Sequence, residues 1–520
     1  MRTKVSVQAR RAAKHRTRPH AFQEITRLTH RHPEVDRLFP NLPVHVLGVG
    51  KKKTGRFVPT HMRVAVLFSG GPASGGHDVL CGISDTLQNH TLLGVHGGPG
   101  GLLKGDIRAL RVDGLRGTGG FWALGTDRTK LKTHIDAVRA IIAQHKIDAL
   151  IIIGGDDSST NAAHLAQHLK GTQVIVVPKT MDCDLQARPW LTCTFGFDTA
   201  CRTYAQMVGN LLADTRSTAK YWHFVRLMGR DASHVTLEVA LQTNPTLALI
   251  SEEESWHRRS LSDVVEHITH VMRARVREGN DHGVILVPEG LLERLSDMRA
   301  LIAALNSVWT RHRDAMMRRS LARRRIFIGR HVDTRNRARF LSLPIRFQEL
   351  LSLDRDAHGN ITLSQIPTEE LLIDLVRARI EQDIPGYTLK AERHFYGYEG
   401  RCGTPTAFDQ RLAYQLGVIA ASLVLDGRTG YLAALGGDLR GGGTPYAVPL
   451  APLLEAESRE GHEELVVRKR LVEHDDPAFL ALLHGRVGRT DTDMQCPGPY
   501  QDGKVIIPVS IALNNAGGRL

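Results

Sequence analysis

Between residues 63 and 290 the chain repeats one rhythm. A short, mostly apolar run leads into a polar turn, and a stretch with apolar residues at helical spacing follows. The runs Arg63–Phe68, Ala149–Ile153, Val174–Val177, Trp222–Leu227, Leu247–Ile250 and Gly283–Val287 read as buried strands. Helices are predicted over Asp78–His90, Lys130–Gln144, Ser159–Lys170, Thr199–Asp214, Ala232–Gln242 and Ser262–Glu278. Strands alternating with helices predict an α/β fold with mostly parallel sheets. Residues 291–391 break the rhythm: strand signals are few, and the pattern predicts a helical insertion. A helix over Asp409–Leu425 and short strands at Tyr446–Val448 and Lys504–Pro508 close the chain, and the tail from 451 offers no evident chemistry.

The turns carry the chemistry. Arg63–Phe68 feeds Ser69-Gly70-Gly71-Pro72-Ala73-Ser74-Gly75-Gly76-His77, a glycine-rich turn before a helix, which is the arrangement that cradles phosphate on backbone N–H groups. It matches neither GxGxxG nor a Walker A loop. Ala149–Ile153 ends in Gly154-Gly155-Asp156-Asp157-Ser158, and Val174–Val177 leads to Lys179-Thr180-Met181-Asp182-Cys183-Asp184. Loops at the carboxyl ends of neighbouring strands converge, so these carboxylates and one lysine face a single crevice. Acids beside a glycine pair hold a bare anion poorly. They suit a polyphosphate carried with Mg2+, which binds through one or two carboxylates plus the phosphates. Cys183 lies between two acids, but on an extended loop it points away from them.

At 520 residues the chain exceeds one core, so two or more domains are expected. No run approaches the roughly 18 apolar residues of a membrane span. Six scattered cysteines without zinc spacing indicate free thiols in a reducing, cytoplasmic setting. The net charge of +14 is concentrated in residues 1–20 and in Arg311–Arg339. Nothing resembles a nucleic-acid-binding signature, so neither nucleic acid nor membrane is expected as a partner.

Taken in order, Ser69-Gly70-Gly71, GGDDS at 154–158, PKTMDCD at 178–184, Met228-Gly229-Arg230, Pro288-Glu289-Gly290 and Tyr398-Glu399-Gly400-Arg401 resemble the phosphofructokinase family, specifically its long pyrophosphate-dependent form. The resemblance spans most of residues 63–440 and implies two Rossmann-like domains with mostly parallel sheets plus a helical insertion. It divides the chain into an N-terminal arm (1–60), a donor domain (61–195, completed by 392–450), a fructose 6-phosphate domain (196–290), the insertion (291–391) and a C-terminal segment (451–520).

The activity it implies is reversible phosphoryl transfer from pyrophosphate to the C1 hydroxyl of fructose 6-phosphate, with Mg2+. Asp182 corresponds to the general base, Thr180 to the group orienting the hydroxyl, and Lys179 to the cation stabilising the transition state. Asp157 stands where ATP-using relatives typically have glycine. A carboxylate there takes the space of a nucleotide's α-phosphate and repels its charge. Asp156 corresponds to the Mg2+ ligand and Gly70 to the pyrophosphate contact; Asp184 has no settled role. Met181, Met228, Gly229, Arg230, Glu289, Tyr398, Glu399, Gly400 and Arg401 correspond to sugar-phosphate contacts. Lys220 and Tyr221 match positions contributed across a subunit boundary, which implies a homodimer sharing its sites.

Blander readings stand beside these. Asp156 could cap a helix, Arg230 and Arg401 could be surface salt-bridge partners, and His77 and His394 hold loops by hydrogen bonds. Glu252–Glu254 reads as a solvated strand end. The competing functions are a non-catalytic regulatory subunit, which would lack the base or the lysine, and an ATP-dependent kinase, which Asp157 disfavours.

Overall fold

A computed structural model describes residues 19–29, 32–50, 61–185, 187–354, 366–459 and 462–486, and the short strands 500–501 and 504–505. The basic run 1–18, Lys51–Lys53, Cys496 and residues 506–508 of the last predicted strand lie outside the described residues.

Two sheets organise the chain. The first runs in the order β1 (Phe22–Arg27), β2 (His45–Val49), β14 (Thr444–Pro449), β13 (Tyr431–Gly436), β8 (Gln173–Pro178), β7 (Ala149–Gly154), β3 (Arg63–Ser69), β4 (Thr91–Val95) and β5 (Ile107–Ala109), with β6 (Thr126–Asp127) paired to β3. Its centre, from β13 to β4, is parallel. Every residue of β7 is buried, as the unbroken apolar run requires when helices cover both faces. After β3 the chain builds outward to β4, then returns to place β7 on the other side of β3. The crevice of a doubly wound sheet opens at such a switch point. Within the N-terminal arm, β1 and β2 extend the sheet edge as antiparallel strands.

The second sheet is wholly parallel, in the order β10 (Leu247–Ala248), β11 (Gly283–Pro288), β9 (Trp222–Leu227), β12 (Ala391–Tyr396). β12 therefore pairs in this sheet, whereas the sequence reading had placed residues 392–450 with the first. Side chains alternate across β9. Trp222 and Phe224 enter one core with the helices of 291–383, and Val225 and Leu227 enter the core shared with the first sheet. The insertion is helical as expected, with segments at Ser296–Met317, Leu321–His331, Thr334–Ser342 and Thr368–Asp383 among others. Arg324 of its basic stretch is buried over Trp309 and donates to the Met316 carbonyl at 2.8 Å.

Two expectations are corrected. The strand predicted over Leu247–Ile250 stops at Ala248, and Glu252–Glu254 form a buried helical turn within Ser251–Trp256 rather than a solvated strand end. Glu252 accepts backbone N–H bonds from Ser233 and Val472, and Glu254 pairs with Arg259. Among the described residues no helix is long and apolar enough to cross a membrane.

Candidate active site

The turns after β3, β7 and β8 meet at the switch point. Ser158 donates to Ser69 at 2.8 Å, and the Lys179 N–H to the Gly154 carbonyl at 2.8 Å. Gly70 has φ +82, a left-handed conformation that glycine adopts without penalty. A Cβ built there would stand 3.9 Å from Nζ of Lys179. The helix predicted from Ser159 starts earlier, at Asp156, behind Gly155. Asp156 and Asp157 thus occupy its first turn, where carboxylates complement the exposed N–H groups. Asp157 is exposed, and Asp156 is partly buried.

The loop after β8 is buried. Lys179 and Thr180 are almost inaccessible, and Thr180 donates its hydroxyl to Asp184 at 2.8 Å while accepting the Asp182 N–H at 3.1 Å. This bond gives Asp184 an orienting part. One carboxylate oxygen of Asp182 is buried without a hydrogen-bond partner. Burial, then Asp184, Asp231 and Glu289, push Asp182 well above the carboxylate range, against the pull of Lys179. Asp184 is raised to about 6 by burial and by Asp156 and Asp231. Burial lowers Lys179 to about 8, opposed by Asp182. Cys183, at φ +54, turns behind the loop to within 3.7 Å of Cys193 Sγ, away from both acids.

Three turns at the carboxyl ends of β9, β11 and β12 form the other wall. The Gly229 N–H donates to Glu289 at 3.1 Å and the Met228 N–H to the Tyr396 carbonyl at 3.0 Å. Gly290 packs so closely on the Arg230 carbonyl that a Cβ would collide with it. Arg230 remains half exposed, 3.7 Å from Asp231. Met181 is buried in the core, and Tyr398 is exposed beneath the guanidinium of Arg401, 5.2 Å from its ring centre. Exposed Glu399 accepts the Gly397 N–H at 2.8 Å, and Gly400 backs onto Tyr204. Arg401 reaches across to the first wall, where a Cβ on Gly71 would strike it, with Arg128 3.7 Å from the same point. Lys220 and exposed Tyr221 lie at the amino end of β9, away from this edge.

The tail is not without chemistry. Lys469 sets Nζ 2.7 Å from Asp231 and 3.7 Å from Asp156, joining the two walls. The available signal was the basic run Arg468-Lys469-Arg470 directly after an apolar strand end. Asp231, adjoining the Met-Gly-Arg turn, and Arg128 also escaped sequence reasoning.

The phosphofructokinase family model matches residues 63–424. The chain belongs to the phosphofructokinase family. It is 40% identical over 465 residues to the pyrophosphate–fructose 6-phosphate 1-phosphotransferase of Treponema pallidum, covering 85% of this chain and 81% of that one. It is 38% identical to the enzyme of that name from Porphyromonas gingivalis, covering 90% and 89%. The beta 2 subunit of the Arabidopsis thaliana enzyme is 38% identical, covering 86% and 81%. The fold is shared with the pyrophosphate-dependent phosphofructokinase structure from Nitrosospira multiformis, at a TM-score of 0.54 and 15% identity over 88% of this chain and 97% of that one.

Kinases of the phosphofructokinase family generally use Mg2+. Among the described residues no group of three or more His, Cys, Asp or Glu could cage a metal. The crevice offers Asp156, a hard carboxylate on the turn after β7, beside the turn of Gly70. That fits a cation whose remaining ligands are phosphate and water.

Proposed function

We propose that this chain transfers a phosphoryl group reversibly from pyrophosphate to the C1 hydroxyl of fructose 6-phosphate, giving fructose 1,6-bisphosphate and phosphate. The observation that carries this reading is the pairing, in one crevice, of Lys179 over the Gly70 turn with the unpartnered oxygen of Asp182. The first is a buried cation where a phosphate would lie; the second is a base with nothing yet to accept.

In the forward direction Asp182 takes the proton of the C1 hydroxyl as that oxygen attacks the terminal phosphorus of pyrophosphate. The bridging P–O bond breaks, and phosphate leaves. Thr180 and Asp184 hold the loop that aims Asp182. Lys179 offsets charge spread over the transferring oxygens, and losing such a preorganised group costs about a hundredfold or more in rate. Asp156 would hold Mg2+, which neutralises phosphate charge when bound. Asp157 repels the extra phosphate of a nucleotide. Arg230 and Arg401 supply forks for the sugar phosphate, with Glu289 and the turns at Met228, Gly229 and Tyr398 around the sugar. The relatives' names carry the same activity.

The enzyme works in the cytoplasm as a homodimer, with Lys220 and Tyr221 offered to the neighbouring subunit's site; exposed Tyr221 supports this. A purified-protein assay with fructose 6-phosphate and Mg2+, offering pyrophosphate or ATP in parallel, tests the reading. Turnover with pyrophosphate alone is expected. Turnover with ATP alone would overturn the donor, and none with either would favour a regulatory subunit.

A further inference from the structure

The segment after β16 (His462–Val467) runs between the two walls of the crevice. The Val467 N–H donates to Thr160 at 3.0 Å, and Lys469 bridges Leu185 in antiparallel fashion. The Arg470 N–H donates to the Asp184 carbonyl at 2.6 Å, and the Val472 N–H to Glu252, which also accepts from Ser233. Backbone bonds on both sides therefore fix where the Lys469 side chain starts. Its ammonium ends on Asp231 of the sugar side and Asp156 of the donor side.

Such a charge is not a surface ornament. Lys469 is only 19% exposed, and Asp231 and Asp156 are 23% and 26% exposed. Burial works against ionisation of Asp231, yet Lys469 and Arg230 together hold its carboxyl below the ordinary value. Two carboxylates from different walls, with no cation between them, would repel each other in a half-dry space.

We propose that Lys469 is a positioning residue: it occupies the cation position between Asp156 and Asp231 in the free protein, and it yields Asp156 when the donor arrives with its metal. The proposal rests on the pyrophosphate-and-magnesium reading above and extends it. The lysine keeps a divalent ion from settling in the empty crevice, and its two-sided ion pair holds the walls in register until the donor enters. Asp231 is the carboxylate on which Lys469 remains once Asp156 is released.

The test uses the full-length protein and the metal alone, with Mn2+ as the probe and free Mn2+ read by electron paramagnetic resonance. Lys469→Met, if folded, should bind Mn2+ without any donor at least about tenfold more tightly than wild type, since a buried cation has been taken from its partners. Lys469→Arg should behave as wild type. Asp231→Asn should do the reverse of Lys469→Met, because the ammonium then rests wholly on Asp156. The Mg2+ concentration for half-maximal turnover should fall in Lys469→Met and rise in Asp231→Asn. General destabilisation would move both variants the same way. Shifts of the same sign, or Mn2+ binding by folded Lys469→Met no tighter than wild type, would overturn the proposal. Wild type that fails to use pyrophosphate would count against the functional reading instead. The Mn2+ measurement on free protein would still decide the role of Lys469.

Discussion

Gly70 and Lys179 come from different strands, yet a Cβ on the glycine would sit 3.9 Å from the lysine's Nζ. A side chain is disfavoured there on two grounds: φ is +82, and a Cβ would take space beside the ammonium that the donor needs. Gly70→Ala should lose about 1–2 kcal/mol of stability from the left-handed backbone. It should also raise KM for pyrophosphate more than KM for fructose 6-phosphate. Denaturant titration and initial-rate kinetics check the two effects separately.

Asp157 stands exposed in the first helical turn. Asp157→Gly should admit ATP only weakly, because Lys179 still fills the space beside Gly70. Paired with Lys179→Gly, it should admit ATP further while losing most pyrophosphate activity. Parallel assays with both donors decide this; efficient ATP use by the single variant would show that the lysine is no barrier.

The pH profile follows from three buried groups, Lys179, Asp182 and Asp184. Lys179 is lowered to about 8, so it loses its charge as pH rises through that value in the free enzyme. Asp184 is raised to about 6 and Asp182 is raised as well, so the pair takes up protons as pH falls through that region. The base needs an ionised carboxylate and the donor needs the ammonium. A plot of kcat/KM for pyrophosphate against pH should therefore be bell-shaped, with an alkaline limb near 8 and an acid limb displaced above the ordinary carboxylate range. Lys179→Arg should carry the alkaline limb upward if it retains activity, since a guanidinium keeps its proton.

Stability has its own sensitive pair. Arg226 of β9 meets Glu369 of the insertion at 2.7 Å, both about 5% exposed, and Arg226 also lies 4.0 Å from the Phe395 ring centre. Glu369→Ala should cost about 3–5 kcal/mol by stranding the arginine. Replacing both residues together, as Arg226→Met with Glu369→Leu, should recover most of that loss. Chemical denaturation of Glu369→Ala and of the double variant measures the difference.

What could be read in the residues, and what could not, divides by distance along the chain. Trp222–Leu227 and the strands before GGDDS and PKTMDCD were legible because an apolar run and its polar stop are neighbours. The start of the helix at Asp156 was missed because its two acids read as loop chemistry, although acids also favour a first helical turn. Glu252–Glu254 misled for a related reason. Three consecutive acids signal solvent, but Glu252 is buried by bonds to Ser233 and to Val472, and neither bond leaves a local trace. β12 left no strand signal that could be read, and its place beside β9 is set by pairing, not by sequence order. Lys469 showed only as one of three basic residues in a row, and its partners Asp156 and Asp231 lie far from it along the chain.

The cross-brace at Lys469 has a consequence for how the molecule is made. A ribosome will have delivered all strands of both sheets well before residue 469 emerges. A nascent chain, or a product cut short near residue 460, can own both walls and every motif of the crevice and still lack the tie between them. Competence should come late in synthesis and all at once, with the arrival of a segment beyond the residues the family model matches.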